Sequence, residues 1–224
     1  MIARQHLATA FVPGGEELRL YSHDRDFMIL LRRDELMSTR MRGSEEALAV
    51  QTIARLGERK APRLLIGGYG MGFTLRAALA GLDDKAHVTV AELVPEIVEW
   101  ARGPMAELTA GCLDDPRVSL VLQDVADAIG AVTASWDAIL LDVDNGPDGL
   151  VRVANDRIYS PAGLAAAKRA LRPGGVLAVW SAAPDAGFTR RLRSARFAVE
   201  EVSISARANG KGPRHVIWFA KKAG

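Results

Sequence analysis

The stretch RLLIGGYGMGFTLRAAL (63–79) decides the fold. Residues 63–67 are an apolar run of strand length, and a helical pattern follows over 71–81. Between them lie Gly68, Gly70 and Gly72. A strand that passes through a glycine-rich turn into a helix is the first half of a βαβ unit. Glycine allows the sharp turn and lets a ligand approach the backbone closely. The dinucleotide fingerprint G-x-G-x-x-G is not met, because counting from Gly68 places Phe73 at the third glycine.

Outward from this unit the pattern repeats. HVTVAEL (87–93), VSLVL (118–122), WDAILLDV (136–143) and VLAVW (176–180) read as strands. Helical patterns occupy 95–109, 125–132 and 160–171. The strands lack polar alternation, as expected of a parallel sheet covered on both faces. Ser160-Pro161 is a helix entry, with serine as cap and proline in the first turn. Pro173-Gly174-Gly175 is expected to end that helix. FAVEEVSIS (197–205) and RHVIWFA (214–220) are separated by ARANGKGP, too short for a helical crossover. These two strands should therefore pair antiparallel. The result is an α/β chain with a seven-stranded, mostly parallel Rossmann-like sheet. Upstream, ELRLYSHDRDFMILL (17–31) predicts a β-hairpin. Ser44 before two glutamates and an apolar repeat marks a helix start. The expected division is a hairpin extension over 1–42 and a catalytic domain over 43–224.

Composition narrows the function. Of the 224 residues, 49% are hydrophobic and 25% charged, which is ordinary globular usage. A single cysteine, Cys112, excludes an internal disulfide, and four scattered histidines make no zinc cluster. No apolar run reaches the ~20 residues of a membrane helix, and residues 1–15 carry no signal-peptide core. The expectation is a soluble, cytoplasmic protein. The net charge of +2 is unevenly spread: nine basic and two acidic residues follow Ala186, whereas 83–148 hold fourteen acidic and three basic residues. The basic run of Arg190, Arg191, Arg193 and Arg196 has no interleaved aromatics for base stacking and reads as a solvated helix face.

The acidic stretch coincides with strand ends, where open α/β sheets bind ligands. Glu92 ends the second strand of the sheet, about twenty residues past the glycine loop, where a carboxylate bonds ribose hydroxyls. Asp124 follows the third strand and can accept an adenine amino group, cap the next helix, or do both. Asp142 follows the fourth, ahead of Asp144 and Asn145 in a long loop that runs to Tyr159. Carboxylates converging on one crevice suit a cationic ligand, such as a sulfonium donor or an amine acceptor.

Five βα units closed by an antiparallel hairpin resemble the Rossmann-like fold of class I S-adenosylmethionine enzymes. RRDEL (32–36), LLIGGYGMGFTLR (64–76), WDAILLDVDN (136–145) and IYSPAGLAAAKRALRPGG (158–175) together resemble the spermidine synthase (polyamine aminopropyltransferase) family. The resemblance implies aminopropyl transfer from decarboxylated S-adenosylmethionine to an amine, in a homodimer; the residues themselves lead to the expectation of no metal and no nucleic-acid partner. It implies that Asp142 helps deprotonate the amine. Glu92 and Asp124 would hold the nucleoside with Gly68, Gly70 and Gly72, and Asp144, Asn145 and Tyr159 would contact the acceptor. The sequence departs from the family in three places. Gly70 or Met71 stands where the glycine loop normally has an aspartate. Asn145 aligns with a second lid aspartate, and Met37, Ser38 and Thr39 replace a tyrosine and a histidine. Two other readings remain open: a methyltransferase using S-adenosylmethionine on a small molecule, and a non-catalytic nucleoside-binding or scaffold protein.

Overall fold

The computed structural model describes residues 4–32, 34–143, 156–207 and 209–224. Strands β1 (Gln5–Phe11), β2 (Glu17–His23), β3 (Asp26–Leu31) and β4 (Asp34–Ser38) form a small antiparallel sheet in chain order. Helix α1 (Gly43–Leu56) follows. Next come β5 (Arg63–Gly67), α2 (Phe73–Gly81), β6 (His87–Glu92), α3 (Pro95–Arg102) and α4 (Ala106–Thr109). Then follow β7 (Val118–Leu122), α5 (Val125–Gly130), β8 (Trp136–Leu141), α6 (Asp156–Tyr159) and α7 (Pro161–Ala170). The chain ends with β9 (Leu171–Ser181), α8 (Ala186–Ser194), β10 (Ala198–Ser205) and β11 (Arg214–Lys221).

The large sheet has seven strands in the order β10-β11-β9-β8-β5-β6-β7. Strands β5 to β9 pair in parallel, and β11 pairs antiparallel with both β9 and β10. All six residues of β8 are buried, as a central strand covered on both faces requires. One apolar layer lies under the small sheet and helices α1 to α3, and the other under α5, α7 and α8. Ser160 Oγ accepts the Gly163 N–H at 3.1 Å and Pro161 opens α7, as the serine-proline pair predicts.

Three elements differ from expectation. The hairpin is the middle of a four-stranded sheet, because β1 and β4 flank it. Both are edge strands of mixed polarity with one fully buried residue each, so their sequence pattern is weak. The helix expected over 95–109 breaks into α3 and α4 around Gly103-Pro104, since proline has no N–H to continue the ladder. Finally, Pro173-Gly174-Gly175 lies inside β9 rather than ahead of it. Trp136 pairs with Leu171 but Ala138 pairs with Val176, so these residues form a bulge, with Gly174 at φ +69°.

Strand β5 pairs with β6 on one side and β8 on the other, so chain order reverses there. Ligand crevices of open α/β sheets form at such a switch point.

Candidate functional site

A cavity of about 410 Å³ lies over the carboxyl ends of β5, β6, β7 and β8. The sheet ends contribute Gly68, Gly70, Glu92, Asp124 and Asp142. Val12, Leu18, Ile29, Leu31, Leu36 and Met37, from the small sheet and its turns, supply an apolar wall. Helix α1 adds Glu45, β9 adds Trp180 and β11 adds His215. Five carboxylates line the cavity, with Glu35 the fifth, and no lysine or arginine does so among the described residues. Such a chamber favours a cation.

The glycine loop is shaped first by the chain's own contacts. Gly68 has φ +83°, and a Cβ there would stand 2.5 Å from the Asp142 carbonyl oxygen. Gly70 has φ +55°, and Met37 Cε occupies the space its Cβ would enter, 2.6 Å away. The Met37 thioether from β4 thus packs against Gly70. Gly72 begins α2 with the Tyr69 hydroxyl 2.7 Å from where its Cβ would be, and it is not part of the cavity wall. Its positive φ serves the strand-to-helix turn.

Glu92 is 7% exposed. Its Oε1 accepts the N–H groups of Leu93 (2.8 Å) and Val94 (2.9 Å), and Oε2 accepts that of Tyr69 (2.8 Å). Burial pushes its pKa up, against the pull of these donors. A carboxylate offers about four acceptor sites, so at most one is open to a ligand without rearrangement. Asp124 caps α5, its Oδ1 accepting the Ala126 N–H at 2.8 Å, while Oδ2 lies 3.7 Å from Arg157 Nη2.

Asp142 follows the last residue of β8, and its N–H donates to Gly67 O at 3.0 Å. Oδ2 accepts the Thr74 hydroxyl at 2.7 Å. Burial raises its pKa to about 6. Glu45 is 5% exposed, and burial followed by the Asp142 charge pushes it up to about 8. Ser44 Oγ donates to Glu45 Oε2 at 2.8 Å and lies 2.8 Å from His215 Nδ1. The Ser44 hydroxyl thus stands between the Glu45 carboxyl and the His215 ring. The His215 ring meets Trp180 edge-on at 4.8 Å, and the Trp180 indole N–H is buried with no hydrogen-bond partner among the described residues.

A family model of the spermine/spermidine synthase domain matches residues 50–186. The chain belongs to the spermine/spermidine synthase family. The polyamine aminopropyltransferase of Mycobacterium tuberculosis is 34% identical over 196 residues, which cover 83% of this chain and 34% of that protein. The chain therefore spans about a third of that curated relative. The crystal structure of spermidine synthase from Thermotoga maritima superposes with a TM-score of 0.78 at 20% identity, over 98% of this chain and 73% of that one. A spermidine synthase in complex with the transition-state analogue AdoDATO gives 0.76 at 19% identity, with the same coverage. At these identities the superpositions show the fold.

Within this synthase-family fold, Gly68, Gly70, Glu92, Asp124 and Asp142 are brought together, as the strand-end reading expects. Tyr159 is not. It is 3% exposed and packs edge-on against Phe188 at 5.6 Å, with its hydroxyl 3.5 Å from the Val143 carbonyl. Its ring belongs to the second core layer, so it supports the end of β8 from behind. Asp144 and Asn145 lie outside the described residues. Sequence reading missed Glu45, His215 and Trp180. Glu45 carries the signal of an ordinary first-turn helix charge, and His215 is 171 positions from the serine it meets.

Proposed function

We propose that this chain transfers an aminopropyl group from decarboxylated S-adenosylmethionine to an amine. The observation that carries the reading is the cavity itself. It sits at the switch point of a synthase-family fold, and its charged side chains are carboxylates, with no lysine or arginine among the described lining residues. Both a sulfonium donor and an ammonium acceptor are cations. A donor that kept its α-carboxylate would meet like charge there. This favours the decarboxylated donor over S-adenosylmethionine, and aminopropyl over methyl transfer.

In this reading the nucleoside lies over Gly68 and Gly70, with its ribose at Glu92 and its adenine at Asp124. The acceptor approaches Asp142. An alkylammonium has a pKa near ~10 and no free electron pair at neutral pH. Asp142, half-buried and fixed by Thr74, takes the proton. The nitrogen pair then attacks the carbon attached to sulfur, and the C–S electrons leave on a neutral thioether. The protein supplies proximity and orientation for this displacement. We assign residues 1–42 as an extension that roofs the cavity and residues 43–224 as the catalytic unit. The proposed protein is a homodimer working in the cytoplasm.

Calorimetric titration with decarboxylated S-adenosylmethionine and with S-adenosylmethionine tests the donor. Tighter binding of the decarboxylated form is expected, and preference for S-adenosylmethionine would overturn the reading.

A further inference from the structure

Asp142 is the carboxylate expected to deprotonate the acceptor, and the structure brings a second, Glu45, to the same cavity. Glu45 and Asp142 line the same cavity from different elements. One hydroxyl links their positions: Thr74 Oγ1 is 2.7 Å from Asp142 Oδ2 and 3.3 Å from the Glu45 carbonyl oxygen. Behind Glu45, the Ser44 hydroxyl and the His215 ring continue a hydrogen-bonded row at 2.8 Å per step. This row holds the Glu45 carboxyl in one orientation. Two ionised carboxylates lining one cavity, Glu45 buried and Asp142 half-buried, repel each other, and one proton on the pair removes most of that cost.

We propose that Glu45 and Asp142 act as a one-proton acidic pair that receives the cationic end of the acceptor and carries away the proton it sheds. The proposal rests on the aminopropyl-transfer reading for its ligand, but the pair itself does not. The groups that share the surroundings of Glu45 are Asp142 just after β8, His215 from β11, Glu35 from β4, Glu92 from β6, Asp124 at the start of α5 and Glu46 on its own helix. Helix α2 and strand β9 bring Thr74 and Trp180, which do not titrate there.

The proton count closes over a turnover. The empty pair holds one proton, and an entering ammonium displaces it to solvent. The ammonium then gives a proton to the now doubly charged pair, and its nitrogen pair forms the N–C bond. The C–S bond breaks with its electrons on sulfur. The product leaves as a secondary ammonium, and the pair again holds one proton. The net release is one proton, as the overall displacement requires. Burial serves the cycle, because in a low-dielectric cavity the proton and the ammonium compete for the same two charges.

Infrared titration of the full chain tests this through the protonated-carboxyl C=O band. A band that persists through neutral pH is expected in the wild type and should be lost in Glu45→Gln. In Asp142→Asn it should titrate at least one pH unit lower, because the neighbouring charge is gone. Ser44→Ala keeps both carboxyls and should move the titration upward, because the hydroxyl favours the anion. Persistence of the band in Glu45→Gln, or an unchanged titration in Asp142→Asn, would overturn the pair. Next, methylthioadenosine, the neutral thioether nucleoside, should bind and leave the band intact. Adding putrescine to that complex should discharge it, and a band indifferent to bound nucleoside plus putrescine would refute the acceptor role. Failure of methylthioadenosine to bind would instead sink the donor-site reading, with the pair still judged on the ligand-free titrations.

Discussion

Replacing Glu45 by glutamine should alter how stability depends on pH. An ordinary glutamate loses its proton near 4.5, whereas the buried Glu45 holds it up to about 8. Between these values the folded chain binds a proton that the unfolded chain has released, so stability falls as pH rises through the window. The contribution is fully present below 4.5 and gone above about 8. At ~1.4 kcal/mol per pH unit, the whole window is worth ~5 kcal/mol. Asp142 shares the electrostatic cost, which brings the part removed with Glu45 to about 3–5 kcal/mol. That is a large fraction of the ~5–15 kcal/mol stability of a typical domain. A glutamine can still accept the Ser44 hydroxyl, and it carries no charge at any pH. Urea unfolding of both proteins at pH 5, 7 and 9, at constant ionic strength, is the assay. The wild type should lose about 3–5 kcal/mol more than Glu45→Gln between the extremes. Asp142 slopes in the same direction, but over its own window from 3.8 to about 6, so above pH 6 the slope belongs to Glu45. Parallel stability curves for the two proteins would refute the reasoning, because they would mean that Glu45 is ionised in the folded chain at neutral pH.

Other perturbations separate the parts of the site. Asp142→Asn should preserve donor binding while lowering transfer to any accepted amine by roughly 10²–10⁴-fold; unchanged turnover would remove Asp142 from the chemistry. Gly68→Ala forces a left-handed backbone that costs about 1–2 kcal/mol, and its methyl meets the Asp142 carbonyl at 2.5 Å. A lower melting temperature together with weakened donor binding is the expected pair of results. Away from the site, the buried Asp137 joins Arg59 Nη1 (2.5 Å), Arg172 Nη1 (2.9 Å) and the Arg63 N–H (2.8 Å). Asp137→Ala strands all three donors and should cost about 3–5 kcal/mol in urea unfolding, with donor affinity kept in the folded fraction.

Local chemistry already contains much of this molecule. The run of apolar strands without alternation specifies a covered parallel sheet, because such strands can bury both faces only between helices. The short glycine-bearing spacer 206–213 makes the last two strands antiparallel, because no crossover helix fits into it. Glu92, Asp124 and Asp142 are legible for a related reason: the ends of parallel strands converge, so a carboxylate just past each strand reaches one crevice. Where local pattern was weak or served two purposes, the sequence was silent. Strands β1 and β4 are edges with little burial, and Tyr159, expected at the acceptor, packs against Phe188 in the core. Gly72 bears the same glycine signal as Gly68, yet it accommodates Tyr69 rather than the cavity. Tertiary structure alone decided the environment of Glu45. Its burial, its proximity to Asp142 and its serine-histidine support come from α1, β8 and β11, elements far apart in the chain. A pKa is set by desolvation and by neighbouring charges, and neither exists until those elements pack.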